Sequence, residues 1–151
     1  MRDQTTRSAG EAAFSLIELL VVMLIIGILA AIAIPAFLDQ KGKASDTTAK
    51  EAARAASQAA ENYETDHGGS YTGVSVKMLR EYDESVQTAA GNNNAYLTVA
   101  EAQESGGGYV VTAVAPGTND TFTITRTAAG EMKRTCKQES ANSGGCRTGV
   151  W

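Results

Sequence analysis

Histidine is nearly missing from this chain of 151 residues; His67 is the only one. Cysteine occurs twice, at Cys136 and Cys146, and neither belongs to a CxxC pair or has a histidine near it. A metal centre built from nitrogen and sulfur ligands therefore has no sequence support, and no cofactor of any kind is expected. A catalytic His67 would need a partnered nucleophile, and no Ser, Cys or Asp arrangement supplies one, so the chain is taken not to be an enzyme. His67 falls instead at a predicted helix end, where a cation suits the helix dipole. Aromatic residues are 6% of the chain and thinly spread, which leaves an electron-conducting stack without support. There is no excess of positive charge either: the net charge is −4, so no overall nucleic-acid footprint exists.

Hydrophobic residues make up 43% and charged residues 20%, which argues against disorder, but their distribution is very uneven. Most of the Leu and Ile lies between Leu16 and Leu38. The run from Leu19 to Leu38 carries no charge and is about twenty residues long, enough for a transmembrane helix. Within it, Gly27 and Pro35 weaken the helix, and Pro35 predicts a kink because it removes a backbone donor and clashes with the preceding turn. Before it, residues 1–13, "MRDQTTRSAGEAA", form a short polar leader.

After Leu38 the helical pattern continues with a different character. Residues 39–66 are Ala-rich and charged, and Ala49, Ala52, Ala53, Ala56, Ala60 and Tyr63 recur at three- and four-residue steps, one face of an amphipathic helix. "HGGS", residues 67–70, ends it. Phe14 to Asp66 then forms one helix of roughly 80 Å at ~1.5 Å per residue. Residues 67–151 read as a globular domain with a modest core. "SVKMLREYD" is a short helix or turn capped by Ser75, and "NNNAYLTVA" enters a strand. "GYVVTAVA", "TFTITRT" and "EMKRTCK" are strand-patterned runs separated by "PGTND" and "AAG". The predicted fold is α+β: a long N-terminal helix packed on a C-terminal antiparallel sheet of three or four strands.

One charge interrupts the apolar segment. Between Glu11 and Asp39 the only ionisable side chain is Glu18, and burying a lone carboxylate in hydrocarbon is costly. A secretory signal ending at "AIA" (31–33) explains a leader before an apolar run, but not a carboxylate inside it. A plain membrane anchor would gain by losing Glu18.

"FSLIELLVVMLIIGILAAIAIP", beginning at Phe14, resembles the N-terminal signature of type IV pilins and pseudopilins, most closely that of type IVa pilins. The resemblance implies cleavage by a prepilin peptidase between Ala13 and Phe14, N-methylation of Phe14, and an assembly role for Glu18, the fifth mature residue. The family usually has Gly before the cut where this chain has Ala13; cutting after Gly10 would place Glu18 eighth. In a filament the amine of an incoming subunit can pair with Glu18 of its neighbour, a register mark in an apolar bundle. The resemblance also implies local unwinding between Gly27 and Pro35.

The function so implied is a structural subunit held in the inner membrane, passed to an assembly platform and polymerised into an extracellular helical filament for adhesion, motility or DNA uptake. The alternatives are a pseudopilin of a secretion system and a minor subunit that binds DNA or surfaces. Cys136 and Cys146 match the disulfide-bounded loop of many pilins, and in an exported domain such a bond staples a small core, contributing about 3 kcal/mol. "NDT" (119–121) has the form of a glycosylation sequon but reads first as a polar hairpin turn. The basic excess from Arg126 to Trp151 reads as a solvated strand face, with binding of anionic surfaces or DNA as the alternative.

Overall fold

The computed structural model describes residues 14–91, 93–139, 144–146 and 148–151. These fall into two compact units, one ending at Ala36 and the other running from Phe37 to Trp151.

Helix α1 spans Leu16–Asp66 without a break, through both Gly27 and Pro35. It starts at a side-chain cap that sequence inspection overlooked. Ser15 precedes the first turn, and Glu18 three residues later reaches back to accept the Ser15 N–H at 2.9 Å. It stops at glycines, as expected: Gly69 N–H bonds back to the Glu64 carbonyl at 3.0 Å while Gly68 takes φ 66°, a conformation that suits a residue without Cβ.

In the second unit, the buried side of α1 is Gly42, Asp46, Ala49, Ala53, Ala56, Ala60 and Tyr63, together with Ser57 and Ala59. Small side chains at steps of three and four let the helix axis lie close to the sheet. Helix α2, Val76–Tyr82, follows, with the Ser75 hydroxyl accepting from Met78 N–H and Leu79 driven into the core.

Four strands complete the fold: β1 (Tyr96–Ala102), β2 (Tyr109–Val114), β3 (Thr121–Arg126) and β4 (Met132–Lys137). They form an antiparallel meander in the order β1-β2-β3-β4. Alternation sets the faces: Tyr109, Val111, Ala113, Phe122 and Ile124 are buried against α1, while Thr112 and Thr123 face outward and share a hydrogen bond at 2.9 Å. Each fully buried large side chain of this face contributes about 1.5–3 kcal/mol. The expected α+β architecture and the three strand runs are present. The shift in β1 register between Leu97 and Val99 is a bulge that no sequence pattern announced. The "PGTND" turn is the β2–β3 hairpin, closed by Ala115 N–H on the Asp120 carbonyl at 2.8 Å, with Asn119 at φ 60°.

Candidate functional site

The N-terminal half of α1 is an apolar rod. Its large side chains are solvent-exposed in the isolated chain; Leu16 is 74% exposed and Ile32 72%. It is long and apolar enough to cross a membrane by length and composition. Among the predicted site residues, Ala13 lies outside the described residues, while Phe14 precedes the first turn and Glu18 occupies it. Gly27 and Pro35 lie within continuous helix. Glu18 is an exposed group here, and its bond to Ser15 N–H satisfies one of the donors that a helix start leaves open.

The second predicted feature is the C-terminal loop, of which residues 140–143 and 147 lie outside the described residues. Cys136 on β4 is bonded to Cys146, their Cα atoms 5.7 Å apart. The loop is also tied directly to α1, which sequence reasoning missed. Asp46, wholly buried, accepts from the Thr118 hydroxyl and from Gly145 N–H, both at 2.9 Å. Lys50 donates to the Gly145 carbonyl at 2.8 Å. A Cβ on Gly145 would stand 2.7 Å from the Asp46 Cβ, so this close approach needs glycine. A buried carboxylate is tolerated because both oxygens receive donors.

Beyond the loop, the chain returns along β4. Cys136 N–H donates to the Gly149 carbonyl, and Trp151 Nε1–H donates to the Thr135 carbonyl, each at 2.9 Å. The Trp151 ring meets Phe122 edge-on at 5.8 Å. Three cations from two elements surround it: Lys50 Nζ at 5.9 Å, Arg54 Cζ at 5.3 Å and Arg134 Cζ at 5.7 Å from the ring centre. The basic segment is therefore not uniformly a solvated strand face. Lys133 and Lys137 are exposed and paired with Glu131 and Glu139. Arg126 instead turns toward α1 and pairs with Glu61.

That pair organises two tyrosines. Tyr71 and Tyr109 hydroxyls donate to the Glu61 carboxylate at 2.9 and 3.0 Å, and Tyr109 also meets the Ser57 hydroxyl at 2.7 Å. Burial, then the Glu61 hydrogen bond, pushes the Tyr71 phenol upward. Burial chiefly, with the Glu61 charge, pushes Tyr109 up to about 12. Burial opposes the Arg126 charge, but Glu61 outweighs it and raises its pKa. The cluster is a brace between helix and sheet.

His67 sits at the helix end as predicted, stacked on Tyr63 at 3.8 Å with Nδ1 2.8 Å from the Tyr63 carbonyl. Among the described residues no group of three or more His, Cys, Asp or Glu could hold a metal ion. A groove of about 380 Å³ lies between the start of the amphipathic part of α1 and the β2–β3 hairpin, lined by Leu38, Gly42, Ser45 and Thr118 among others.

No curated protein and no solved structure matches the chain. Residues 9–34 match the family model described as the prokaryotic N-terminal methylation motif. The match takes in the Ala13–Phe14 bond, Glu18 and Gly27, so the chain carries an N-terminal signal similar to that of type IV pilins and pseudopilins, ahead of an α+β body.

Proposed function

We propose that this chain is a structural subunit that polymerises through its apolar half-helix into an extracellular type IV pilus. The observation that carries the proposal is the methylation motif set at the head of an apolar rod whose large side chains have no cover of their own. Such a surface requires a bilayer or a bundle of like helices. A prepilin peptidase cuts between Ala13 and Phe14 and the new Phe14 amine is methylated. The subunit waits in the inner membrane and then enters the filament, its helix loosening between Gly27 and Pro35 to fit the packed core. The disulfide and the Asp46–Gly145 clamp suit a small domain working outside the reducing cytoplasm.

The test is expression of the full chain in cells lacking their own subunit but retaining the assembly machinery. Filaments sheared from the surface should contain it as the main band, beginning at methylated Phe14. Recovery only of short cell-bound filaments, with loss of protein secretion when the gene is deleted, would assign the chain to a secretion pseudopilus instead.

A further inference from the structure

We propose that the groove between α1 and the β2–β3 hairpin holds the phosphodiester headgroup of a bilayer phospholipid while the subunit stands in the membrane. The inference rests on the membrane stage of the role proposed above and adds a ligand to it.

The helix sets the position. The uncharged run from Leu19 to Leu38 is about 30 Å long at ~1.5 Å per residue, roughly the thickness of a hydrocarbon core. Leu38 ends that run and also lines the groove. Lys41, another lining residue, stands about 4.5 Å further along α1, within a headgroup layer roughly 5–8 Å deep. Ser45 and Thr48 follow about 10 and 15 Å beyond Leu38. The groove therefore runs from the edge of the hydrocarbon outward past the headgroup phosphates.

Its chemistry follows the same direction. Leu38, Ala44 and Pro116 supply apolar wall. Lys41 is the charged side chain of the lining, and it joins no ion pair found among the described residues. Asp39, beside Leu38 in the chain, is not part of the lining. The Gly117 and Thr118 N–H groups donate to no acceptor found among the described residues, and Asn93 adds an exposed amide. A cation with spare N–H donors and no carboxylate beside it is a set that a phosphodiester satisfies.

The hydroxyls play a different part. Ser45 donates to the Pro116 carbonyl, Thr48 to the Ser45 carbonyl and Thr118 to Asp46. Their protons are committed, but the Ser45 and Thr48 oxygens keep lone pairs. Lying beyond Lys41, these oxygens suit a headgroup that ends in a donor of its own, an ammonium or a hydroxyl. A volume of about 380 Å³ is in the range of small-molecule sites. A lipid is favoured over a soluble phosphate because the cationic wall adjoins the residue that ends the membrane run, so one amphipathic molecule meets both.

The experiment uses the full chain, extracted in detergent from membranes of cells lacking their own subunit. Native mass spectrometry follows titration with phosphatidylglycerol, with a phosphate-free diacylglycerol glycolipid, and with soluble glycerol phosphate. The chain should take up one phosphatidylglycerol in preference to the glycolipid. Lys41→Gln, which removes the charge, and Ala44→Leu, which fills the groove, should each weaken that binding about tenfold, and Lys41→Arg should restore it. If Ala44→Leu lowers the unfolding midpoint, the Lys41→Gln and Lys41→Arg pair decides. Wild-type affinity in Lys41→Gln overturns the inference. So does equal uptake of the glycolipid, which would mean lipid held by the apolar helix alone. Glycerol phosphate bound as tightly as the lipid also overturns it and gives the groove to a soluble phosphate. If the unaltered chain is absent from the membrane fraction, the membrane stage itself has failed; membrane-held chain whose lipid uptake ignores these substitutions rejects only the headgroup site.

Discussion

Arg126 and Glu61 stand 65 residues apart in the chain and meet as an ion pair, one guanidinium nitrogen lying 3.0 and 2.9 Å from the two carboxylate oxygens. The pair joins β3 to α1, and two tyrosine hydroxyls close around it. Their side chains are 32% and 36% exposed, so water screens part of the attraction. Glu61→Ala leaves a half-buried cation and two phenols short of an acceptor. The expected loss is about 1–3 kcal/mol in urea unfolding. A double-mutant cycle with Arg126→Gln should give a coupling of about 1 kcal/mol. Additive effects would show that the two groups stand together without acting together.

The same cluster predicts an alkaline limit. The Tyr109 pKa is raised from 10.0 to about 12, chiefly by burial, and that of Tyr71 is raised as well. In the unfolded chain both phenols ionise near pH 10, while in the folded chain they keep their protons. The native state then binds more protons than the unfolded state, so stability falls as pH rises. Their contribution is complete below pH 10 and is lost as pH climbs toward 12. Tyr109→Phe should flatten this decline, at a cost of about 1 kcal/mol at neutral pH for the lost hydrogen bonds. A variant that unfolds with the wild-type slope above pH 10 would remove Tyr109 from the explanation.

These features also mark where the sequence stopped being informative. The long helix, its glycine stop, the Ser75 cap and the strand runs were legible because each rests on local chemistry: apolar period, capping residues and turn composition. The alanine stripe was visible from Ala49 to Tyr63, but its continuation to Asp46 and Gly42 was not, since an aspartate carries no apolar signal. Asp46 is buried only because Gly145 and Thr118 bring donors to it from remote parts of the chain. Trp151 was likewise unreadable as an aromatic partner of Arg134 and Arg54, because their meeting depends on the tail folding back along β4. The contact of Glu18 with Ser15 N–H is local and legible from the Ser-x-x-Glu spacing, whereas attention to a lone carboxylate in an apolar run obscures it.

The C-terminal loop should depend on its covalent and polar ties together. Cys136→Ser removes the staple and is expected to lower stability by about 2–4 kcal/mol. Gly145→Ala leaves the disulfide in place but forces a methyl against Asp46, with an expected cost of about 1–3 kcal/mol. Trp151 is the sole tryptophan, so its fluorescence reports on this region directly. Both variants should shift its emission toward that of an exposed indole. Unchanged emission and unfolding midpoint in Gly145→Ala would mean that the loop is not clamped through Asp46.

Glu18 admits two explanations, and one pair of substitutions separates them. In the isolated chain its carboxylate caps the helix start by accepting Ser15 N–H, a role that any side-chain carbonyl in that place can fill. In the proposed filament its charge compensates the amine of a neighbouring Phe14 and fixes the axial step. Glu18→Gln keeps an acceptor for Ser15 and removes the charge; Glu18→Ala removes both. Neither touches the second unit, which begins at Phe37, so the folded domain should be unaffected. Cleavage should persist in both, because the bond to be cut precedes Phe14. Helix capping alone would let Glu18→Gln assemble normally and leave Glu18→Ala impaired. Charge pairing makes both variants fail alike, with processed subunit held in the membrane and no filaments outside. The second outcome is expected, since a cap contributes only about 1 kcal/mol whereas an uncompensated amine in a hydrocarbon core costs several. Normal filament number and length in Glu18→Gln would reduce Glu18 to a capping residue and require another device to set the register.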